Sequence, residues 1–174
     1  MSRTLEMNTL PAALGGSSLV AWRIDSELHA RGWDSGIGAE RLGGRWNARG
    51  TRAVYCAVDM STSMLEVAVH KGFDFLDATA NVLTRMVIDD VSSIRIVHPD
   101  ELPNPMWRFP GIPGQAQMRF GTELLKRHGI VVFPSCVSAY SWNLVFEPAL
   151  ALGRYRVTGQ ERLHLDGRLN PPLP

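Results

Sequence analysis

The chain has 174 residues, 45% hydrophobic and 20% charged, and a formal net charge of +1. That is the size and make-up of one soluble globular domain, and near-neutrality excludes a general electrostatic drive toward nucleic acid or an anionic membrane. Two cysteines, Cys56 and Cys136, are too few for a disulfide scaffold, and no stretch suits a signal or a bilayer span, so a cytoplasmic protein is expected.

Residues 1–17 read as a flexible lead-in, and 18–174 as a single domain. Leu19 to Ile24 alternates as a first strand. Residues 25–44 carry five glycines and mixed charge and read as one long loop, a length that usually serves function. Ala53 to Val58 is apolar and β-branched enough for a buried strand. Ser61 to Lys71 predicts a helix: Ser61, Thr62 or Ser63 can cap it, Met64, Leu65, Val67 and Val69 fill apolar positions, and Gly72 stops it. Strands are expected at Asn81 to Asp89 and Ile94 to Val97. Residues 98–114, with five prolines, read as an irregular crossover. Gln115 to His128 predicts a second helix with Gly129 as its C-cap. Ile130 to Phe133, Ser141 to Phe146 and Tyr155 to Val157 read as strands, and Arg162 to Leu165 alternates once more before a proline-rich tail. The pattern is α+β in one domain.

The stretch 43–70, GGRWNARGTRAVYCAVDMSTSMLEVAVH, holds the densest chemistry. A guanidinium among glycines suits a phosphate, because its fork matches two oxygens and the missing side chains allow close approach. Tyr55 offers a flat ring face, and Glu66 a carboxylate that can steady a developing cation. Together they suit a phosphorylated, aromatic, cationic ligand, and NAD has all three properties. Plainer readings exist for each residue. Arg41, Arg45, Arg49 and Arg52 fit a solvated basic loop, and Tyr55 fits ordinary strand packing. Ser63-x-x-Glu66 fits a capping box, and His70 a residue that complements the helix dipole.

Rival chemistries have weaker support. Cys136 with His70 or His128 lacks a nucleophile motif, and Ser135 with His70 and an aspartate lacks a Gly-x-Ser-x-Gly turn. The five histidines have no paired metal-ligand spacing, so no metal is expected. Gly36-x-Gly38 is not continued into a dinucleotide fingerprint, so bound NAD would be a substrate and not a redox cofactor.

The run GGRWNARGTRAVYCA…SMLEVAVH, the earlier WRI at Trp22–Ile24 and the later PSCVSAYSWNLVFEP resemble the RES family, named for its Arg, Glu and Ser. The resemblance runs from about Trp22 to about Leu169 with the motifs in order, and departs at Glu147, where the family more often has asparagine. Members are typically toxins of bacterial toxin–antitoxin pairs. The resemblance implies a split β-sheet akin to the ADP-ribosyltransferase fold, with NAD in its cleft. It implies Arg45 as anchor for NAD phosphate or ribose, and Tyr55 against the nicotinamide. Glu66 would bind the nicotinamide ribose and stabilise the oxocarbenium, with His70 as its partner. Ser135 would place a hydroxyl near ribose or pyrophosphate, and Asn143 would order the closing loop. The implied activity is cleavage of the nicotinamide–ribose bond, by water or phosphate. The alternatives are ADP-ribosyl transfer to a specific protein, or a non-enzymatic NAD-binding or partner-binding module. A cognate Xre-type antitoxin is the implied partner, and a homo-oligomer is left open.

Overall fold

The structure, a computed structural model, describes residues 17–111 and 113–169. The predicted lead-in, apart from Ser17, and the last residues of the proline-rich tail lie outside the described residues. Seven strands form one sheet: β1 (Leu19–Ser26), β2 (Val54–Ala57), β3 (Asn81–Ile88), β4 (Arg95–Ile96), β5 (Ile130–Pro134), β6 (Trp142–Phe146) and β7 (Arg156–Arg162). Among the described residues five α-helices accompany them: α1 (Ile37–Leu42), α2 (Met60–Lys71), α3 (Phe73–Ala78), α4 (Gln115–His128) and α5 (Pro148–Ala151). The strand order is β4-β5-β6-β2-β1-β3-β7. All neighbours are antiparallel except β4 and β5, which the crossover through α4 joins in parallel.

The alternation read along the strands has a physical counterpart. Leu19 and Ala21, with Val54, Cys56, Met86, Ile88, Ile130, Val132, Leu144 and Phe146, bury one face of the sheet. The opposite face carries two separate clusters. Trp46, Val131, Phe133, Val145 and Leu125 pack beneath α4. Ile24, Leu83 and Leu76 form the other, with Met64 and Val67 of α2 against it. Between those clusters the sheet itself is weak. β1 pairs with β3 along all eight residues but with β2 at one position, Trp22 with Ala57. Past that pair the two strands part. This is the split of the expected α+β fold, and a cleft opens over it.

Several expectations need correction. Residues 25–44 are not one loop: a 3-10 turn covers Glu27–Gly32, and α1 follows. Gly72 stops α2 as predicted, but with φ +83°, a conformation that favours glycine, it also starts α3 directly. The α2 cap is Asp59, whose carboxylate accepts from Thr62 N at 2.7 Å, while Thr62 and Ser63 are buried inside the first turn. Leu65 and Val69, read as filling apolar positions, are 41% and 66% exposed, because α2 buries a narrower stripe than its composition suggests. Of the two late segments, the first lies at the start of one longer strand, β7, exposed along its length, while the second is strand only at Arg162; this polar edge strand offers no hydrophobic alternation to read. The short helix α5 was not foreseen; Pro148 opens it and Glu147 caps it through Leu150 N. Glu147 thus does at this turn what an asparagine can do, accepting a backbone hydrogen bond at an N-cap.

Candidate active site

One wall of the cleft is the turn carrying Arg45. Gly44 N donates to Asn47 O, closing the turn. A Cβ at Gly44 would sit 2.5 Å from the Tyr55 hydroxyl, so only glycine admits the tyrosine this close. That hydroxyl donates to Asn47 Oδ1 at 2.6 Å and accepts from Trp46 N at 3.0 Å. The Asn47 amide in turn reaches the carbonyls of Ala39, Ala48 and Thr51. Trp46 is buried and stacks on Phe133, with centroids 4.3 Å apart and planes 4° from parallel. α4 closes on the turn from behind: a Cβ at Gly121 would meet Trp46 O at 2.3 Å, and Thr122 Oγ1 accepts from Ala48 N. The result is a fixed platform from which Arg45 projects, its Nη1 donating to Trp107 O at 2.8 Å.

Burial pushes the Tyr55 phenol above its ordinary range, against the pull of the Trp46 amide and the Arg45 charge. Its hydroxyl therefore stays protonated and serves the turn, leaving the ring as the part that can meet a ligand. Of the four loop arginines, Arg45 is half-buried. Arg52 pairs with Glu40 at 3.2 Å, and Arg49 donates to Leu42 O.

Glu66 lies in the middle of α2, well past the cap, so the capping-box reading of it does not hold. Its Oε1 accepts from Asn143 Nδ2 at 2.5 Å and from Ser135 Oγ at 3.1 Å. Its Oε2 lies 3.8 Å from His70 Nε2, one helical turn on. Ser135 is 1% exposed, and its oxygen also accepts from the Val137 and Ser138 amides. A strand and the residue that follows β5 thus converge on one carboxylate oxygen of the helix, and the other oxygen lies nearest His70. The helix itself is pinned at its start. Partial burial works to raise the Asp59 carboxyl, but hydrogen bonds from Ser141 and Thr62 prevail and hold it below the usual aspartate range.

The cleft has a volume of about 1450 Å³ and is lined by Arg45, Tyr55, Glu66, His70 and Asn143, with Cys136 beside them. Ser135 does not line it; the serine sits beneath Glu66. The structure therefore gathers all six predicted residues around one space, five at its surface and one behind. Burial pushes the Cys136 thiol up to about 11, against the Arg45 charge, and the Sγ donates to Trp107 O at 3.5 Å. A protonated thiol so placed is a poor nucleophile. Among the described residues no group of His, Cys, Asp and Glu could hold a metal ion. None of the described helices is long and apolar enough to cross a membrane.

Two cleft residues were not foreseen. Arg23 of β1 spans the split, Nη1 donating to Tyr55 O at 2.8 Å and Nη2 to Asp25 Oδ1 at 2.7 Å. The guanidinium takes the place of the strand pairing that β1 and β2 do not make. Arg23 was present in the WRI motif, but a charged residue in an alternating strand reads as solvent-facing, and its partner lies 32 residues on.

The RES domain family matches residues 20–166. A protein named Toxin Res from Photorhabdus laumondii is 33% identical over 132 residues, covering 75% of this chain and 82% of its own. Another Toxin Res, from Yersinia enterocolitica, is 33% identical over 133 residues, covering 75% and 84%. A protein named Prs ADP-ribosylating toxin, from Sphingobium, is 30% identical over 133 residues, covering 74% and 81%. Among solved structures, the M. tuberculosis MbcT–MbcA toxin–antitoxin complex contains a chain similar in fold, with a TM-score of 0.65 and 18% identity over 84% of both chains.

Proposed function

The chain belongs to the RES domain family, and on that premise we propose that it is a toxin that cleaves NAD at the nicotinamide–ribose bond. The observation that carries this reading is the Glu66 carboxylate. One of its oxygens is held by Ser135 and Asn143 and the other faces a cleft also lined by Arg45 and Tyr55. The Tyr55 ring receives the pyridinium, and the Arg45 guanidinium takes a phosphate of the pyrophosphate. As the bond between ribose C1′ and the pyridinium nitrogen breaks, its electron pair leaves with neutral nicotinamide. Positive charge then builds over C1′ and the ring oxygen. Glu66, fixed before the reaction, stabilises that charge without reorganising. Water, giving up a proton to the solvent, or phosphate completes the reaction by bonding to C1′, and loss of NAD arrests growth.

A second reading has one observation in its favour, the name of the Sphingobium relative: a protein side chain could be the acceptor. On either reading an Xre-type antitoxin is the natural partner, silencing the toxin by covering the cleft; the toxin–antitoxin complex of the structural neighbour is consistent with such a pairing. Expression of the chain without an antitoxin tests the proposal. NAD is expected to fall before growth stops. Arrest with a steady NAD pool, together with one cellular protein heavier by an ADP-ribosyl group, would establish the second reading instead.

A further inference from the structure

The bonds to Glu66 Oε1 form only if α2 lies at the right height along β6, and a second polar contact between the two elements sets that height. Thr62 stands four residues before Glu66 on α2, so their side chains share one face of the helix. Ser141 stands two residues before Asn143, so both leave the chain on the same side of β6. Four helical residues rise about 6 Å and two strand residues span about 6.6 Å, so the two spacings match. Two rungs result. Thr62 Oγ1 lies 2.8 Å from Ser141 Oγ, and Asn143 Nδ2 lies 2.5 Å from Glu66 Oε1. Resting on the proposed NAD cleavage, we propose that Thr62 and Ser141 are positioning residues, whose hydroxyl contact keeps the Glu66 carboxylate in register with its Ser135 and Asn143 donors.

Ser141 joins every piece of the Glu66 support. Its hydroxyl donates to Asp59 Oδ2 at 2.5 Å, at the cap of α2. The single Thr62 hydroxyl proton goes to Ser141 Oγ or to the same carboxylate oxygen, 2.7 Å away, and in either arrangement β6 is tied to the start of the helix. The Ser141 carbonyl accepts from Ser135 N at 3.0 Å, which closes the loop that carries the Ser135 hydroxyl to Glu66. Thr62 and Ser141 are both buried, and neither lines the cleft, so they reach the chemistry only through Glu66. Without one hydroxyl, Asp59 Oδ1 still caps α2 through Thr62 N, and Val58 N still donates to Trp142 O. The helix therefore stays in place but loses its register, and a shift of about 1 Å at a reacting centre costs up to about a hundredfold in rate.

The test measures kcat and KM for nicotinamide release from NAD by wild-type protein, Ser141→Ala, Thr62→Val and Thr62→Ser, with a melting curve for each. Valine keeps the shape of threonine without the hydroxyl, and serine keeps the hydroxyl without the methyl group. Ser141→Ala and Thr62→Val are each expected to lower kcat about tenfold, because the carboxylate is misplaced for the transition state. KM for NAD is expected to stay within about twofold, since neither residue touches the substrate. Thr62→Ser is expected to turn over like wild type. A lower melting temperature with unchanged kcat in the two hydroxyl-less variants would show that the rung only braces the fold, and overturns the inference. A loss shared by Thr62→Ser, or one carried by KM, overturns it too. Each of these results leaves NAD cleavage standing. No nicotinamide release by wild type overturns the parent reading and this one with it.

Discussion

The two walls of the cleft are built on opposite terms. On the Arg45 side the polar groups of the turn are engaged: the Tyr55 hydroxyl, the Asn47 amide and the Ala48 amide each have a named partner, and two glycines let backbone and ring approach closely. On the β1 side and the β6 floor, Arg23 Nε, Asp25 Oδ2 and Asn143 Oδ1 are buried and unpartnered among the described residues. The turn of the first wall satisfies its own polar groups. The second is held by longer-range bonds, the Arg23 bridge to Tyr55 O and the Asn143 and Ser135 bonds to Glu66. One wall is a locally closed turn and the other is tied together across strands, so damage to the two walls should be felt in different measurements.

The largest expected effect falls on the carboxylate between them. Glu66→Gln keeps an acceptor for Ser135 and Asn143 but removes the charge, and NAD cleavage should fall by about a hundredfold or more. Thermal melting should not move, because Asp59 and not Glu66 caps α2. Near-normal turnover in this variant would return Glu66 to a structural role.

Gly121→Ala attacks the first wall from behind. Its Cβ would meet the Trp46 backbone, and overpacking of that kind costs about 1–3 kcal/mol. The melting temperature should drop by roughly 2–4 °C for each kcal/mol in a chain of this size. An unchanged melting curve would show that the turn yields easily and is no rigid platform.

Arg45→Lys leaves that wall standing but removes its fork. A point-charge ammonium cannot make two parallel bonds to a phosphate, so NAD affinity should weaken about tenfold with stability nearly unchanged. Calorimetric titration finding equal affinity would take Arg45 out of the anchor role.

The smallest effect is expected at Asp59, which sets α2 and so Glu66 against β6. Its carboxyl titrates below the ordinary aspartate value in the folded protein, so the stability it contributes is present above that value. That contribution is lost as pH falls through the depressed one. Asp59→Asn, itself a good cap, should be less stable than wild type near neutrality by about 1 kcal/mol or less, with the gap closing in strong acid. Denaturation curves whose difference did not narrow on acidification would contradict this.

Much of the frame was legible along the chain because it is local. The runs at 19–24, 54–57, 130–133 and 142–146 alternate or stay apolar over strand lengths, and Gly72 and Gly129 mark helix ends where they were read. What escaped depends on the tertiary structure. α1 hides among glycines, and β7 has no buried face to pattern it. In the site, the i to i+4 step from Glu66 to His70 is a local relation and could be read directly. The partners that hold Glu66 lie 69 and 77 residues away, just past β5 and on β6. Nothing near Ser135 indicates that it lies beneath a carboxylate instead of at the cleft surface. The Arg23–Asp25 pair escaped for a related reason: two charges on a strand declare themselves only when the neighbouring strand is seen to part from them.

The most direct measurement is nicotinamide release from NAD by the purified protein, followed with and without inorganic phosphate. The account predicts steady multiple-turnover release, absent in Glu66→Gln, with phosphate raising the rate if phosphate is the acceptor and leaving it unchanged if water is. No release beyond a single equivalent under any condition, from folded protein that binds NAD, would contradict it.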